Sequence, residues 1–146
     1  MVARMEMISQ EMIKPSDPTP DHLRNYNLSF LDQIAPSHYF PLISFYQSTQ
    51  NCNLDHSQIS QRLKSSFSSA LTKFYPLAGR INGTLSIDCN DEGASYIEVQ
   101  VHDQLSEVMK YGKIEDLTQY LPLNPHGGTS DIDNRPFKSI FSIVKG

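Results

Sequence analysis

Five histidines, His22, His38, His56, His102 and His126, are the side chains best suited to move a proton near neutral pH. None recurs with another His or Cys at the spacing of a zinc site. Cys52 and His56 stand four apart, but two ligands cannot complete a tetrahedron. His102 is followed by Asp103; neighbours on a strand point to opposite faces, so they form no base–carboxylate dyad without a turn. Asp88, Asp91 and Glu92 flank a turn, and their spacing is not that of an EF-hand, so they read as solvated carboxylates. Asp131 and Asp133 read the same way. Gly79-Arg80 and Gly127-Gly128 are too sparse to cradle a phosphate. On these residues alone no active site is assembled.

The elements that would position such groups are easier to read. Residues 6–13 alternate apolar and polar types as a strand does. Pro15, Pro18 and Pro20 make the next stretch an extended connector. Residues 26–31 read as a short strand running into a turn. Residues 39–46 read as an aromatic strand, demoted to an edge or split by Pro41. Ile59, Leu63, Phe67, Ala70, Leu71 and Phe74 fall on one helical face, with Asp55 or Ser57 as N-cap and Pro76 as the stop. On this reading the intervening serines lie mainly on the other faces. Residues 85–88 and 95–101 read as two strands of a hairpin with one buried face, turned by Gly93. Two short helices follow, one capped by Asp103 with Leu105, Val108 and Met109 inward, the other around Leu117, Tyr120 and Leu121. A loop over 122–136 leads to a final apolar strand over 137–144. Interspersed strands and helices place the chain in the α/β or α+β class.

The bulk properties exclude several functions. With 146 residues the chain has the length of one domain. A net charge of −4 and no basic stripe give no electrostatic basis for nucleic-acid binding. No apolar run reaches the length of a membrane span, and no apolar block follows Arg4 as in a signal peptide. The expectation is a cytoplasmic location with Cys52 and Cys89 as free thiols. Asn27-Leu28-Ser29 and Asn82-Gly83-Thr84 match glycosylation sequons, by chance on this reading.

One segment is distinctive. Phe74-Tyr75-Pro76-Leu77-Ala78-Gly79-Arg80 closely resembles the FYPLAGR segment of the plant BAHD acyltransferases. Ile13-Lys14-Pro15-Ser16, Leu28-Ser29-Phe30-Leu31-Asp32-Gln33, Phe45-Tyr46 and Asp88-Cys89-Asn90-Asp91-Glu92-Gly93-Ala94 resemble further elements of that family, in the same order. The flavour is that of a branch containing an alkaloid O-acetyltransferase, and the likeness runs from about residue 6 to residue 144. It implies a partial chloramphenicol acetyltransferase-like domain, a mixed sheet with flanking helices. It also implies acyl transfer, acetyl above all, from acyl-CoA to a small-molecule alcohol of plant specialised metabolism. By residue type, Arg80 should make a structural ion pair.

The family's base is the His of an HxxxD motif, and a second signature, DFGWG, needs a Trp. Four residues beyond the five histidines stand Tyr26, Leu42, Ser60, Ser106 and Ser130, and the chain has no Trp. In the family HxxxD follows soon after the strand matching 137–144. The expectation is therefore an incomplete N-terminal half over residues 1–146, without the second domain, without catalytic, cofactor-binding or metal-binding residues, and inactive alone. Acyl-CoA would be a co-substrate of the intact enzyme rather than bound here. By the same likeness Tyr39 and Phe40 line the acceptor channel, unless they are core aromatics of a strand. Two other readings stay open: a non-catalytic remnant that self-associates or binds a partner through exposed strand edges, and an unrelated small ligand-binding domain.

Overall fold

The chain is described by a computed structural model over residues 5–35, 42–46, 55–102, 106, 108, 110, 117–120, 136 and 141–144. Its strands are β1 (Met5–Ile13), β2 (Asn25–Asn27), β3 (Arg80–Asn82), β4 (Ser86–Asp88), β5 (Ala94–Val101) and β6 (Phe141–Val144). Its α-helices are α1 (Phe30–Ile34) and α2 (His56–Lys73), with single 3-10 turns at Asp21–Leu23, Tyr75–Ala78 and Thr118–Tyr120. The strands form two three-stranded sheets, ordered β1-β5-β6 and β2-β4-β3. β1 runs antiparallel to β5, and β6 parallel to it. Parallel neighbours require a long crossover, which residues 102–140 supply. Residues 106, 108, 110 and 117 are helical, in keeping with the two expected helices; Asp103, Leu105, Met109 and Leu121 lie outside the described residues.

β5 carries the larger sheet. Its Ile97, Val99 and Val101 suit a strand, and the alternation suggests one buried face. Both faces are in fact covered: Tyr96 and Val101 are fully buried, and Glu98 is only 8% exposed. The expected hairpin of residues 85–101 does not form either, because β4 and β5 belong to different sheets. The chain passes between them through Asp91 at φ 57 and Gly93 at φ 94. A Cβ on Gly93 would stand 2.4 Å from the carbonyl oxygen of Ile13, so only glycine lets β5 begin against the end of β1.

The same passage corrects the reading of Asp91 as a solvated carboxylate, whereas Asp88 and Glu92 are exposed as expected. Asp91 accepts from Thr19 N–H at 2.9 Å and from Thr19 Oγ1 at 2.6 Å, fixing the proline connector. Glu92 Oε2 lies 2.7 Å from Arg80 Nε. Arg80 also donates to the carbonyls of Gly79 and Gly93, at 2.7 and 3.0 Å. The structural ion pair expected of Arg80 is thus present, and it ties the start of β3 to the entry of β5.

Helix α2 starts where expected. Asp55 and Gln58 form a reciprocal capping box. Its packed face is rotated from the apolar stripe, however. Ala70 is exposed and Phe74, just past the helix, is 62% exposed, whereas Ser60 and Leu71 are buried. Serines do much of the docking: Ser68 Oγ donates to Lys14 O at 2.7 Å, and Ser16 Oγ meets Thr72 Oγ1 at 2.9 Å. Leu71, Ala78 and Ala94 form the core cluster, with Ile13, Phe67 and Leu77 against it.

Two further expectations change. Residues 26–31 are not one strand: β2 ends at Asn27 and Phe30–Ile34 is helical. Ser29 and Asp32 form a capping box, with Ser29 N–H donating to Asp32 Oδ2 at 2.9 Å, which starts a helix where the apolar types suggested extension. The Ser29 donors also hold the Asp32 carboxyl below its ordinary pKa. Residues 42–46 form no strand, and no described strand pairs with them. Residues 39–41 of that expected strand lie outside the described residues.

Gly79 tests this packing. A Cβ there would stand 2.4 Å from Asp88 O and 2.9 Å from Ile87 Cγ2. Gly79→Ala should cost about 1–3 kcal/mol through overpacking. The measurement is a urea titration, where the midpoint should fall with an unchanged slope.

Candidate functional site

The candidate channel residues Tyr39 and Phe40 lie outside the described residues, as do His38, Cys52, Asp103, His126, Asp131 and Asp133. Of the remaining histidines, His22 sits in the first 3-10 turn, His56 opens α2, and His102 follows β5. His102 Nε2 faces Glu6 Oε2 on the neighbouring strand β1 at 3.8 Å. That distance is too long for the hydrogen bond that orients a general base, and both side chains are largely exposed. Among the described residues no group of His, Cys, Asp and Glu suits a metal ion. None of their helices is long and apolar enough to cross a membrane. Cys89 is a buried free thiol, and burial pushes its pKa up, away from nucleophilic use. The depression lined by Gln58, Gln61, Arg62 and Ser65 lies along α2 alone and holds no nucleophile–base pair.

One polar cluster is built with care. It lies between α2 and the β1-β5 sheet, where Glu98, Tyr96, Glu11, Ser60 and Lys64 converge. The register brings Glu11 opposite Tyr96 and Ser9 opposite Glu98. Ser60 Oγ donates to Glu98 Oε2 at 2.6 Å. One turn along, Lys64 Nζ pairs with Glu11 and reaches Glu98 Oε2 at 3.8 Å. The same ammonium stands 5.2 Å from the centre of the Tyr96 ring.

The electrostatics follow from this closure. The hydrogen bond to Glu11 raises the pKa of Lys64, with the charge of Glu98 adding to it. Burial raises that of Tyr96. A cluster whose charges answer one another inside a helix–sheet seam holds elements together; it presents no free base to a substrate. Sequence reasoning passed over it because Glu98 alternates with Ile97 and Val99, which put it on the presumed solvent face. The available signal was Ser60 and Lys64 at i, i+4, a spacing that sets two polar groups on one helical face.

Comparison with known proteins accounts for the scaffold. A family model described as Transferase family matches residues 3–137. Stemmadenine O-acetyltransferase of Catharanthus roseus is 48% identical over 128 residues, which are 88% of this chain and 30% of that protein. Vinorine synthase of Rauvolfia serpentina is 46% identical over 88% of this chain and 31% of its own length. A limonoid 21-O-acetyltransferase of Melia azedarach is 42% identical over 85% of this chain and 29% of its own length. The crystal structure of vinorine synthase superimposes with a TM-score of 0.86 at 43% identity, covering 97% of this chain and 35% of that one. The fold is therefore the partial chloramphenicol acetyltransferase-like one expected. The chain spans about 30% of the length of these relatives.

The cluster makes stability fall in alkali. Lys64 and Tyr96 both have folded pKa values above their ordinary ones. Their contribution is complete below the unfolded values and is lost as pH rises through the folded ones. Thermal melts should fall above about pH 10, where free Tyr and Lys titrate. Lys64→Met should lower stability by about 1–3 kcal/mol at neutral pH, since it strips charged partners, and should flatten the alkaline decline. A decline of unchanged steepness in Lys64→Met would count against this assignment.

Proposed function

Because the chain belongs to the Transferase family, the plant BAHD acyltransferases, we propose that it is the N-terminal scaffold of an acetyltransferase acting on a hydroxyl of a specialised metabolite, an alkaloid above all. The observation that carries this reading is the identity of 48% with an O-acetyltransferase along 88% of the chain. The reaction breaks the thioester C–S bond of acetyl-CoA and forms a C–O bond to the acceptor. The hydroxyl proton passes to a base and from it to the departing sulfur, so coenzyme A leaves as the thiol. A neutral hydroxyl is a weak nucleophile, so the base is required.

The division of labour follows from the chain's own residues. No His has an Asp four residues on, and His102 lacks a carboxylate at hydrogen-bonding distance among the described residues. On this reading the base and the acyl-CoA contacts come from polypeptide beyond this chain. Its own contribution is the mixed sheet, the α2 seam and the strand β6, after which the base is placed. Tyr39 and Phe40 belong to the acceptor channel of the assembled enzyme.

Two measurements test the proposal. The isolated chain, incubated with acetyl-CoA and a panel of alkaloid and phenolic alcohols, should form no ester above a protein-free control; protein-dependent product would overturn its inactivity. Joined to the part of vinorine synthase that follows the matched region, the chain should restore acetyl transfer. A folded chimaera that binds acetyl-CoA without acetylating any alcohol would sink the scaffold reading.

A further inference from the structure

Asn82 ends β3, and Gly83 opens the turn that leads to β4, where Asn82 pairs with Ser86. Asn82-Gly83 is the only Asn-Gly pair in the sequence. Both residues are exposed, and Gly83 sits at φ 63. Around the place where a Cβ of Gly83 would stand there is nothing within 4 Å. Among the described residues, the Asn82 side chain has no hydrogen-bond partner, and the Gly83 N–H donates to none.

Other asparagines differ in these respects. Asn90 Nδ2 donates to Glu92 Oε1 at 2.9 Å, and its Oδ1 accepts from Glu92 N–H at 3.2 Å. Asn25 Nδ2 donates to Asn27 Oδ1 at 3.4 Å. Their successors, Asp91, Tyr26 and Leu28, each carry a side chain beside the backbone nitrogen. Asn82 alone among the described asparagines combines an unheld amide with an unhindered following nitrogen.

From this juxtaposition we propose that Asn82 is a site of spontaneous deamidation through a cyclic imide closed by Gly83. The Gly83 nitrogen forms a bond to Asn82 Cγ, the bond from Cγ to the side-chain nitrogen breaks, and the displaced proton leaves with that nitrogen as ammonia. Water then opens the ring at either carbonyl. One product is aspartate; the other is isoaspartate, which carries an extra methylene in the main chain. Nothing is oxidised or reduced, and water is the only co-reactant. Ring closure is favoured here because glycine puts no Cβ beside the attacking nitrogen. The product places a carboxylate and a lengthened backbone at the open end of the β3-β4 pairing, beside Leu85, whose carbonyl accepts from Leu28 N–H at 2.8 Å.

The test is peptide mass mapping of the folded chain aged in mildly alkaline buffer, with the urea-unfolded chain as reference. The peptide containing Asn82 should gain one mass unit and split into aspartyl and isoaspartyl forms before those containing Asn25, Asn27 or Asn90. Conversion should quicken as pH rises, since the attacking amide must lose its proton. In Gly83→Ala it should slow about tenfold, because the new Cβ crowds the attacking nitrogen. Asn82→Gln, which keeps the glycine turn, should abolish the change even if Gly83→Ala folds poorly. An Asn82 peptide that holds its mass in the folded chain while the unfolded chain converts would overturn the proposal. So would equal conversion at Asn90.

Discussion

A carboxylate without water needs partners, and Glu98 finds them on α2. It stands on the strand that both neighbours of the larger sheet pair with, at 8% exposure, so its charge has to be met within the protein. Ser60 donates to it, and Lys64 approaches from one turn further along α2. Leaving a buried acceptor without its donor costs about 1–3 kcal/mol, a noticeable share of a domain's net stability. The demand therefore sets how α2 rotates on the sheet. It turns Ser60, Lys64 and Leu71 inward and leaves Ala70 to solvent. Once α2 is set this way, Ser68 and Thr72 fall beside the proline connector and fasten it. Two of the helix's serines, Ser60 and Ser68, then have a use, since short hydroxyls bridge a close seam where longer apolar side chains would hold it apart.

The second constraint lies at residues 89–93, where the chain leaves one sheet for the other. Backbone at positive φ makes the passage, and Asp91, Glu92 and Arg80 anchor it from three directions. These residues occupy the segments that resemble the family most closely. Their geometry explains why such segments go with scaffold rather than catalysis. Arg80 commits Nη1 to two backbone carbonyls and Nε to one carboxylate, all within the scaffold. Gly79 and Gly93 each lie where a Cβ would strike another strand's backbone.

The chain thus divides structure from chemistry. The chain covers 35% of the solved vinorine synthase chain, and its described residues hold no oriented base. The strand β6 joins the sheet parallel to β5, in register from Glu98–Phe141 to Val101–Val144. A long crossover is needed for that pairing, so the order of elements matters as much as their identity.

Much of this was legible in the residues themselves. Alternation marked β1 and β5, Asp55 and Pro76 bounded α2, and a run of motifs in order pointed to the family and to its absent HxxxD. These are local signals: a cap, a stop or a motif works through neighbours in the chain. The register and rotation of elements were not legible. Glu98 looked solvent-facing, because alternation cannot tell whether a second layer covers the polar side. Ala70 outbids Ser60 for the inner face of α2 on hydrophobicity alone, yet Ser60 is buried against Glu98 and Ala70 is exposed, while Ile59, Leu63 and Lys64 are all half-buried. Residues 85–101 looked like a hairpin, since sequence shows a turn but not which strands it joins. Sequence by itself settled β1, β5, the bounds of α2, the family and the absence of HxxxD from these residues; the tertiary structure decided which faces meet, because a charge is paired across space and not along the chain.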